Sequence, residues 1–182
     1  MRIGLIVGSL RKKSWNKLVA LTVKELFPEE VEANIIDISN VPLYNQDLDK
    51  DEPDENYKNI REEVKKYDGF IFFTPEYNRS YTPAIKNVID VVSRDPEGSG
   101  FKKKPAAVFS ASIGKFGAMA ANHALRQSFI YVDLIPMQQP EVYLSNVQDL
   151  FDDDKKMVKE TREFLKKCVY SFVEYAKLIN RK

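Results

Sequence analysis

Five short apolar runs alternate with segments of helical spacing, and this alternation constrains the fold more than any other feature. The runs occupy residues 2–7, 33–38, 69–73, 106–110 and 131–135. They are apolar almost throughout rather than at every second residue, so both faces of each strand should be buried. The sequence therefore predicts an α/β domain with a doubly wound, five-stranded parallel sheet and helices on both faces.

The segments between the runs carry apolar residues at helical spacing and predict the helices. The predicted helices span 14–27, 57–67, 84–93 and 118–129, and a long closing helix spans 152–177. Segment 41–56 mixes prolines with acidic residues, and its charged end is interpreted as a solvated connection. With no internal repeat, residues 1–182 are predicted to form a single domain.

The net charge, the first apolar run and the single cysteine indicate which partners and which compartment to expect. With 28 basic and 27 acidic residues, the net charge of +1 lacks the basic excess that nucleic-acid binding needs. The first apolar run is too short for a signal peptide or a membrane span. The single cysteine, Cys168, cannot form an intrachain disulfide, which suits a reducing compartment. We expect a cytoplasmic protein without a nucleic-acid or membrane partner.

Three polar loops follow the first, third and fourth predicted strands. Their sequences are GSLRKKSWN at 8–16, TPEYNRSYTP at 74–83 and SASIGKFGA at 110–118. Doubly wound sheets bind ligands beyond the carboxyl ends of the strands, where the strand order reverses. These loops are therefore the predicted ligand site, and they are called the first, second and third loops below.

The first loop has the residue types of a phosphate site. Ser14 can cap the next helix, whose free N–H groups favour an anion, and Ser9, Arg11 and Asn16 could complete the cradle. The spacing matches neither the P-loop nor the dinucleotide fingerprint, which favours one terminal phosphate. The alternative is that Ser14 only caps the helix and Arg11 points into water.

The second loop has a stiffened backbone, because Pro75 restricts its own φ and disfavours helix at the residue before it. Such a backbone can bind the edge of a flat heterocycle, with the ring of Tyr77 beside it. The alternative is an ordinary strand-to-helix connection whose tyrosines pack on neighbouring residues.

Five motifs resemble those of the NADPH-dependent FMN reductase family, a flavodoxin-like group that includes quinone, chromate and azo-dye reductases. The resemblance covers residues 3–136 and rests on GSLRKKSWN, PLYNQDL at 42–48, PEYNRS at 75–80, KNVID at 86–90 and SIGKFG at 112–117. It implies the flavodoxin-like strand order 2-1-3-4-5. Many members have other residues where this chain has Val91, Ala118 and Ala120, which leaves the choice between NADPH and NADH open.

The resemblance also implies the residues that bind FMN. Those expected at the phosphate are Ser9, Arg11, Ser14 and Asn16. Those expected at the isoalloxazine are Pro75, Glu76, Tyr77 and Asn78 in the second loop. The third loop is expected to close over the ring through Ser110, Ser112, Gly114, Lys115, Phe116 and Gly117.

The implied activity is transfer of two electrons from NADPH or NADH, through FMN, to a quinone, azo compound, flavin or similar acceptor by a ping-pong mechanism. Flavin N5 carries the hydride, so no catalytic side chain or metal is expected. His123 and Cys168 are interpreted as structural. The alternative is an FMN-binding electron carrier or redox sensor that does not turn over NAD(P)H.

The resemblance further implies a homodimer, possibly paired into a tetramer. The sequence adds a modest hint, because Val88, Val91 and Val92 lie in the helix that follows Tyr77 and Tyr81. Together these residues offer more apolar surface than one face of a sheet requires.

Overall fold

All strands belong to one parallel sheet in a computed structural model that describes residues 1–181. The strands are β1 (Arg2–Val7), β2 (Glu32–Ile36), β3 (Gly69–Thr74), β4 (Pro105–Ala111), β5 (Ile135–Pro136) and β6 (Val142–Leu144). Their order is β2-β1-β3-β4-β5, and β6 also pairs with β4. The predicted flavodoxin-like, doubly wound sheet is confirmed, with its fifth position divided between two strands.

Five α-helices cover the two faces of the sheet. They are α1 (Trp15–Lys24), α2 (Glu55–Lys65), α3 (Pro83–Ser93), α4 (Met119–Tyr131) and α5 (Lys159–Ile179). Apolar residues of α1 and α5 pack on one face, and those of α2, α3 and α4 pack on the other. Within residues 1–181, none of the helices combines the length and apolarity that crossing a bilayer would require.

The predicted fifth strand at 131–135 is wrong in position. Tyr131 is the last residue of α4, and its side chain is 89% exposed. Leu125, Phe129 and Val132 are buried at helical spacing, so the helical pattern extends into the start of this apolar run, and residues 132–133 form the turn after the helix. The strand itself begins at Ile135, where β5 pairs with Pro105 and Ala106 of β4.

The predicted closing helix begins too early, because α5 starts at Lys159 and residues 152–158 form a turn. Asp152 organises this turn through a carboxylate that accepts the N–H of Lys156 at 2.8 Å. The periodic apolar positions beyond Leu165 are buried, whereas Phe164 is 41% exposed. The helix is therefore correct in type and wrong in its first residues.

Segment 41–56 is attached to the domain by buried polar contacts, so its interpretation as solvated is wrong at Asp49. Both carboxylate oxygens of Asp49 accept from Arg61 at 2.7 Å, and the two side chains are 7% and 4% exposed. Asn87 of α3 donates to the carbonyl of Pro42 and accepts from the N–H of Tyr44. These side chains hold the segment against α2 and α3.

The valines that suggested a dimer surface belong to the core of one chain. Val88, Val91 and Val92 are each 0% exposed and pack with residues of α2 and the sheet. Their apolar surface is thus used within the domain, and this part of the sequence argument for a dimer is wrong.

Candidate functional site

The three predicted loops meet at one cleft of about 230 Å³ at the carboxyl edge of the sheet. They converge because β1, β3 and β4 are neighbours in the sheet, and Gly8 N–H donates to the Phe73 carbonyl at 2.8 Å. The predicted residues that line the cleft are Ser9, Arg11, Ser14, Asn16, Pro75, Glu76, Tyr77 and Ser112. The additional lining residues are Trp15, Ala111, Ile113 and Val147. A larger cavity of about 600 Å³ adjoins α1 but includes only the first of the three loops.

Gly8 is required by the close approach of the first loop to the start of α3. A Cβ at this position would lie 2.7 Å from Thr82 Oγ1 and 2.6 Å from Ile85 Cδ1. Thr82 is the N-cap of α3, and its hydroxyl accepts the N–H of Ile85. The glycine therefore lets the first and second loops share one edge of the sheet.

The first loop ends in a capped helix N-terminus. Ser14 Oγ accepts the Lys17 N–H at 3.1 Å, and Ser14 itself is 3% exposed. Arg11 is exposed at the cleft, where its Nε donates to the Lys13 carbonyl at 2.9 Å. Within residues 1–181 no carboxylate forms an ion pair with Arg11. The cap and the unpaired guanidinium together suit an anion.

Asn16 tests whether the cleft fits FMN, because it leaves a buried polar atom without a partner. Its Nδ2 donates to the Ala111 carbonyl at 3.0 Å, while its buried Oδ1 has no hydrogen-bond partner. Buried acceptors are normally satisfied, so this oxygen indicates a missing donor. A phosphate dianion has no donor, whereas a ribityl hydroxyl does. Asn16 therefore fits the ribityl chain of FMN better than the predicted phosphate.

The second loop contains a two-residue turn that sequence reasoning missed. Asn78 and Arg79 have φ values of 51° and 67°, and Tyr77 and Ser80 exchange both backbone hydrogen bonds at 2.9 and 3.0 Å. Positive φ at both central residues is the type I′ pattern, which Asn tolerates better than most residues. The turn leaves the side chain of Tyr77 half exposed beside the cleft. Asn78 lies at the exposed turn and does not line the cleft.

Glu76 lines the cleft, but its carboxylate is already occupied. Its Oε2 accepts the N–H groups of Ala120 and Ala121 at 3.1 and 3.3 Å, both in the first turn of α4. The side chain is 17% exposed, and its other oxygen lies 3.7 Å from Arg79. The second loop is thus joined to the helix that follows the third loop.

Two buried residues, Ser110 and Gly117, fix the backbone of the third loop against the sheet. Ser110 is 0% exposed, and its hydroxyl lies 2.8 Å from the Gly117 carbonyl and 3.2 Å from the Val142 carbonyl. Gly117 has a φ of 56°, and a Cβ there would lie 2.6 Å from the carbonyl carbon of Tyr143. Ser110 and Gly117 therefore support the loop, and neither lines the cleft. Asn122 of α4, which the sequence argument omitted, donates to the Val108 carbonyl at 3.0 Å.

The tip of the third loop is exposed and includes two apolar side chains, Ile113 and Phe116, beside the charged Lys115. Gly114, Lys115 and Phe116 are all exposed and do not line the cleft itself. Ile113 and Phe116 are 69% and 68% exposed, whereas Ser112 lines the cleft and contacts the Gly114 carbonyl. The predicted site residues are thus gathered at one edge, although only part of them face the cleft.

The two residues interpreted as structural lie in different surroundings. Cys168 is fully buried on the core-facing side of α5, and burial raises the pKa of its thiol to about 11. His123 is exposed on α4, with its Nε2 3.2 Å from the Tyr143 hydroxyl. Burial, with a hydrogen bond to Glu141, raises the pKa of Tyr143 to about 12. Neither Cys168 nor His123 lines the cleft.

Comparison with known proteins agrees with this geometry. The family described as NADPH-dependent FMN reductase matches residues 1–149. The chain belongs to this family. A quinone reductase of Pseudomonas putida is 43% identical over 176 residues, which cover 97% of this chain and 95% of that protein. An NAD(P)H-dependent FMN reductase of Pseudomonas aeruginosa is 37% identical over 155 residues, covering 85% and 83% of the two chains.

A solved structure has the same architecture as this chain. The flavoenzyme FerB of Paracoccus denitrificans, an NAD(P)H:(acceptor) oxidoreductase, is 33% identical, with a TM-score of 0.88 and 97% of each chain covered. The predicted family, enzyme class and cofactor are therefore confirmed: the chain is an oxidoreductase that uses FMN with NAD(P)H as electron donor.

Proposed function

We propose that this FMN reductase family member reduces a small quinone or a similar flat acceptor, such as an azo compound or a free flavin. The observation that carries the proposal is the single cleft formed by three loops where the strand order reverses. The quinone reductase from Pseudomonas putida, similar over nearly the whole chain, supports the acceptor class.

In this proposal the first loop holds the FMN phosphate and ribityl chain. The N-terminus of α1, the hydroxyls of Ser9 and Ser14 and the guanidinium of Arg11 would bind the phosphate. The unpartnered Oδ1 of Asn16 would accept from a ribityl hydroxyl. The first loop therefore offers donors to the phosphate and an acceptor to the sugar chain.

The second and third loops would hold the isoalloxazine. Backbone groups of 75–78 would meet the edge of the ring, and the segment from Ser112 to Gly117 would cover it. The supporting contacts of Ser110 with Gly117, and of Glu76 with α4, keep these two loops in place. Orientation of the bound ring is the main contribution expected from the protein.

The open border of the cleft suits flat ring systems. Tyr77, Ile113 and Phe116 present exposed apolar surface there, at 49%, 69% and 68% exposure. When bound, FMN supplies hydride acceptance and electron donation at N5. Nicotinamide and acceptor would need the same open face, so we propose that they bind in turn, by a ping-pong mechanism.

Anaerobic reduction followed by reoxidation tests this function. We expect NADH or NADPH alone to bleach the yellow absorbance of the purified protein, and a benzoquinone to restore it. Steady-state rates measured against both substrates should give parallel double-reciprocal lines. Dialysis against EDTA should leave the rate unchanged, because flavin N5 carries the hydride and the proposed reaction needs no metal. Absorbance that neither nucleotide bleaches would refute the reductase proposal and favour the electron carrier.

We also propose a homodimer, possibly assembled into a tetramer, with the cleft near the subunit boundary. Family resemblance supports it, and so does the exposed apolar group formed by Ile113, Phe116 and Met119 around the third loop. Light scattering of the FMN-loaded protein at micromolar concentration should give at least twice the chain mass. A stable monomer would refute the proposal.

A cytoplasmic location without a nucleic-acid partner is proposed on the composition of the chain. The single buried cysteine suits a reducing compartment, and the net charge of +1 offers no basic excess. Fractionation of the native host should recover the protein with cytoplasmic markers, and recovery with membranes or with DNA would contradict the proposal.

A further inference from the structure

Helix α4 begins without a cap of its own. Its N-cap residue, Ala118, has a φ of 60° and no side-chain hydrogen bond, and the first turn contains no acidic residue. The first N–H groups of a helix need acceptors from outside the helix. The carboxylate of Glu76 provides one, because its Oε2 lies 3.1 Å from Ala120 N and 3.3 Å from Ala121 N.

This pair of hydrogen bonds, called the Glu76 contact, joins two loops that border the same cleft. Glu76 belongs to the second loop, while Ala120 lies just after the third loop ends at Gly117 and Ala118. Its carboxylate is 17% exposed, so solvent competes little with the contact. Arg79 approaches the other oxygen at 3.7 Å but is 78% exposed, so its contribution is small.

The end of the third loop has a second support on its opposite side. Ser110 Oγ lies 2.8 Å from the Gly117 carbonyl, and the Cα of Gly117 faces the backbone of Tyr143. Ser110 therefore holds the loop to β4, and Glu76 holds it to the second loop. Without Glu76 the third loop would keep its contact with Ser110 of β4 but lose its hydrogen bonds to the second loop.

We propose that Glu76 is a positioning residue, whose carboxylate sets the spacing of the second and third loops across the FMN cleft and does not itself bind the cofactor. This inference rests on the proposed FMN site. It gives the side chain of Glu76 a role other than contact with the isoalloxazine, while the backbone of 75–78 still meets the edge of the ring. It predicts that the hydrogen-bond acceptor at residue 76 matters more for FMN affinity than its negative charge.

The experiment compares FMN affinity with fold stability in flavin-free protein. Glu76→Ala removes the contact, and Glu76→Gln keeps an acceptor oxygen without the charge. Asp54→Ala is the matched control, because Asp54 also caps a helix with its carboxylate, at 2.8 Å from Asn56 N, but at α2. FMN fluorescence quenching measures the dissociation constant, and thermal melting measures stability.

We expect both alanine variants to melt at lower temperature than the wild type. Only Glu76→Ala should weaken FMN binding, by roughly tenfold, and Glu76→Gln should recover most of that loss. If Glu76→Ala does not fold, Glu76→Asp, which is shorter by one methylene, replaces it with the same expectation.

Two results would overturn the inference. One is an FMN dissociation constant that Glu76→Ala leaves unchanged, and the other is a Gln variant that binds FMN as weakly as the Ala variant. Reduction of the wild-type protein by NAD(P)H is measured separately. Bound FMN that is not reduced would refute the proposed reductase without affecting the test of Glu76.

Discussion

Gly117 is the position where one added methyl group should disturb the site most. Its φ of 56° is left-handed, and a Cβ would lie 2.6 Å from Tyr143 C, 2.9 Å from Tyr143 O and 2.9 Å from Leu144 N. These are backbone atoms of β6, so they cannot rotate away as the end of a side chain could. Gly117→Ala must therefore move either the third loop or β6.

The cost has two parts that can be estimated. The left-handed conformation costs an L-residue about 1–2 kcal/mol, and overpacking typically costs about 1–3 kcal/mol. Together they give a loss of about 2–5 kcal/mol in the free energy of unfolding, against a total of about 5–15 kcal/mol for an ordinary domain. At roughly 2–4 °C per kcal/mol for a chain of this length, Tm should decrease by roughly 4–20 °C.

Ala118→Gly is the control, because the adjacent residue is also left-handed, with a φ of 60°. Ala118→Gly removes the cost of the left-handed conformation, which adds about 1–2 kcal/mol to the free energy of unfolding. This gain is offset by the backbone entropy of glycine, about 0.5–1 kcal/mol, and by the loss of a buried methyl group, about 0.8 kcal/mol. Its stability should stay within about 1 kcal/mol of the wild type. Urea unfolding of the flavin-free proteins and FMN titration provide the assay. A Gly117→Ala protein that loses less than about 1 kcal/mol and binds FMN normally would refute the reasoning.

Three further predictions concern single side chains. Arg11→Ala should weaken FMN binding by roughly tenfold to a hundredfold in a fluorescence titration, because a hydrogen bond to a charged group is lost. Lys24→Ala, at the last residue of α1 and away from the cleft, should leave FMN binding unchanged. Arg61→Ala should cost roughly 3–5 kcal/mol in urea unfolding by leaving Asp49 buried and unpaired, and neutralising Asp49 as well should recover much of the loss. Folding raises the pKa of Cys168 from 9.0 to about 11, so its contribution to stability is complete below pH 9 and is lost as pH rises toward 11. The stability of the wild type relative to Cys168→Ala should therefore decrease across that interval, and a constant difference would contradict the assigned pKa.

Local sequence patterns predicted the central strands correctly, because burial on both faces requires apolar residues at nearly every position. β1, β3 and β4 lie in the middle of the sheet, and helices cover both of their faces, so their sequences are continuously apolar and easy to recognise. The first loop was predictable for a related reason, because a serine before a helix and a nearby arginine act through local geometry. The strand at the edge of the sheet, β5, has a weaker sequence pattern. The run at 131–135 was therefore assigned to a strand, although most of it belongs to the end of α4 and the turn after it.

Pairwise contacts over long sequence separations could not be predicted in this way. In the sequence Asp49 cannot be distinguished from the acidic residues around it. It is buried because it pairs with Arg61 of α2, which becomes its neighbour only in the folded chain. Glu76 belongs to a recognisable motif, yet its partners lie 44 and 45 positions away on α4. The left-handed turn at Asn78 and Arg79 lacked the glycine that usually marks such turns.

The sequence by itself determined the α/β class, the order of strands and helices along the chain, and the three polar loops at the carboxyl ends of the central strands. These features follow from hydrophobic periodicity and capping, which act between residues close in the chain. Only the tertiary structure decided which loop residues face the cleft, that the carboxylate of Glu76 turns to α4, and that Asn16 retains an unpartnered acceptor. Those outcomes depend on hydrogen bonds between separate elements, and the partners become neighbours only after the sheet has formed.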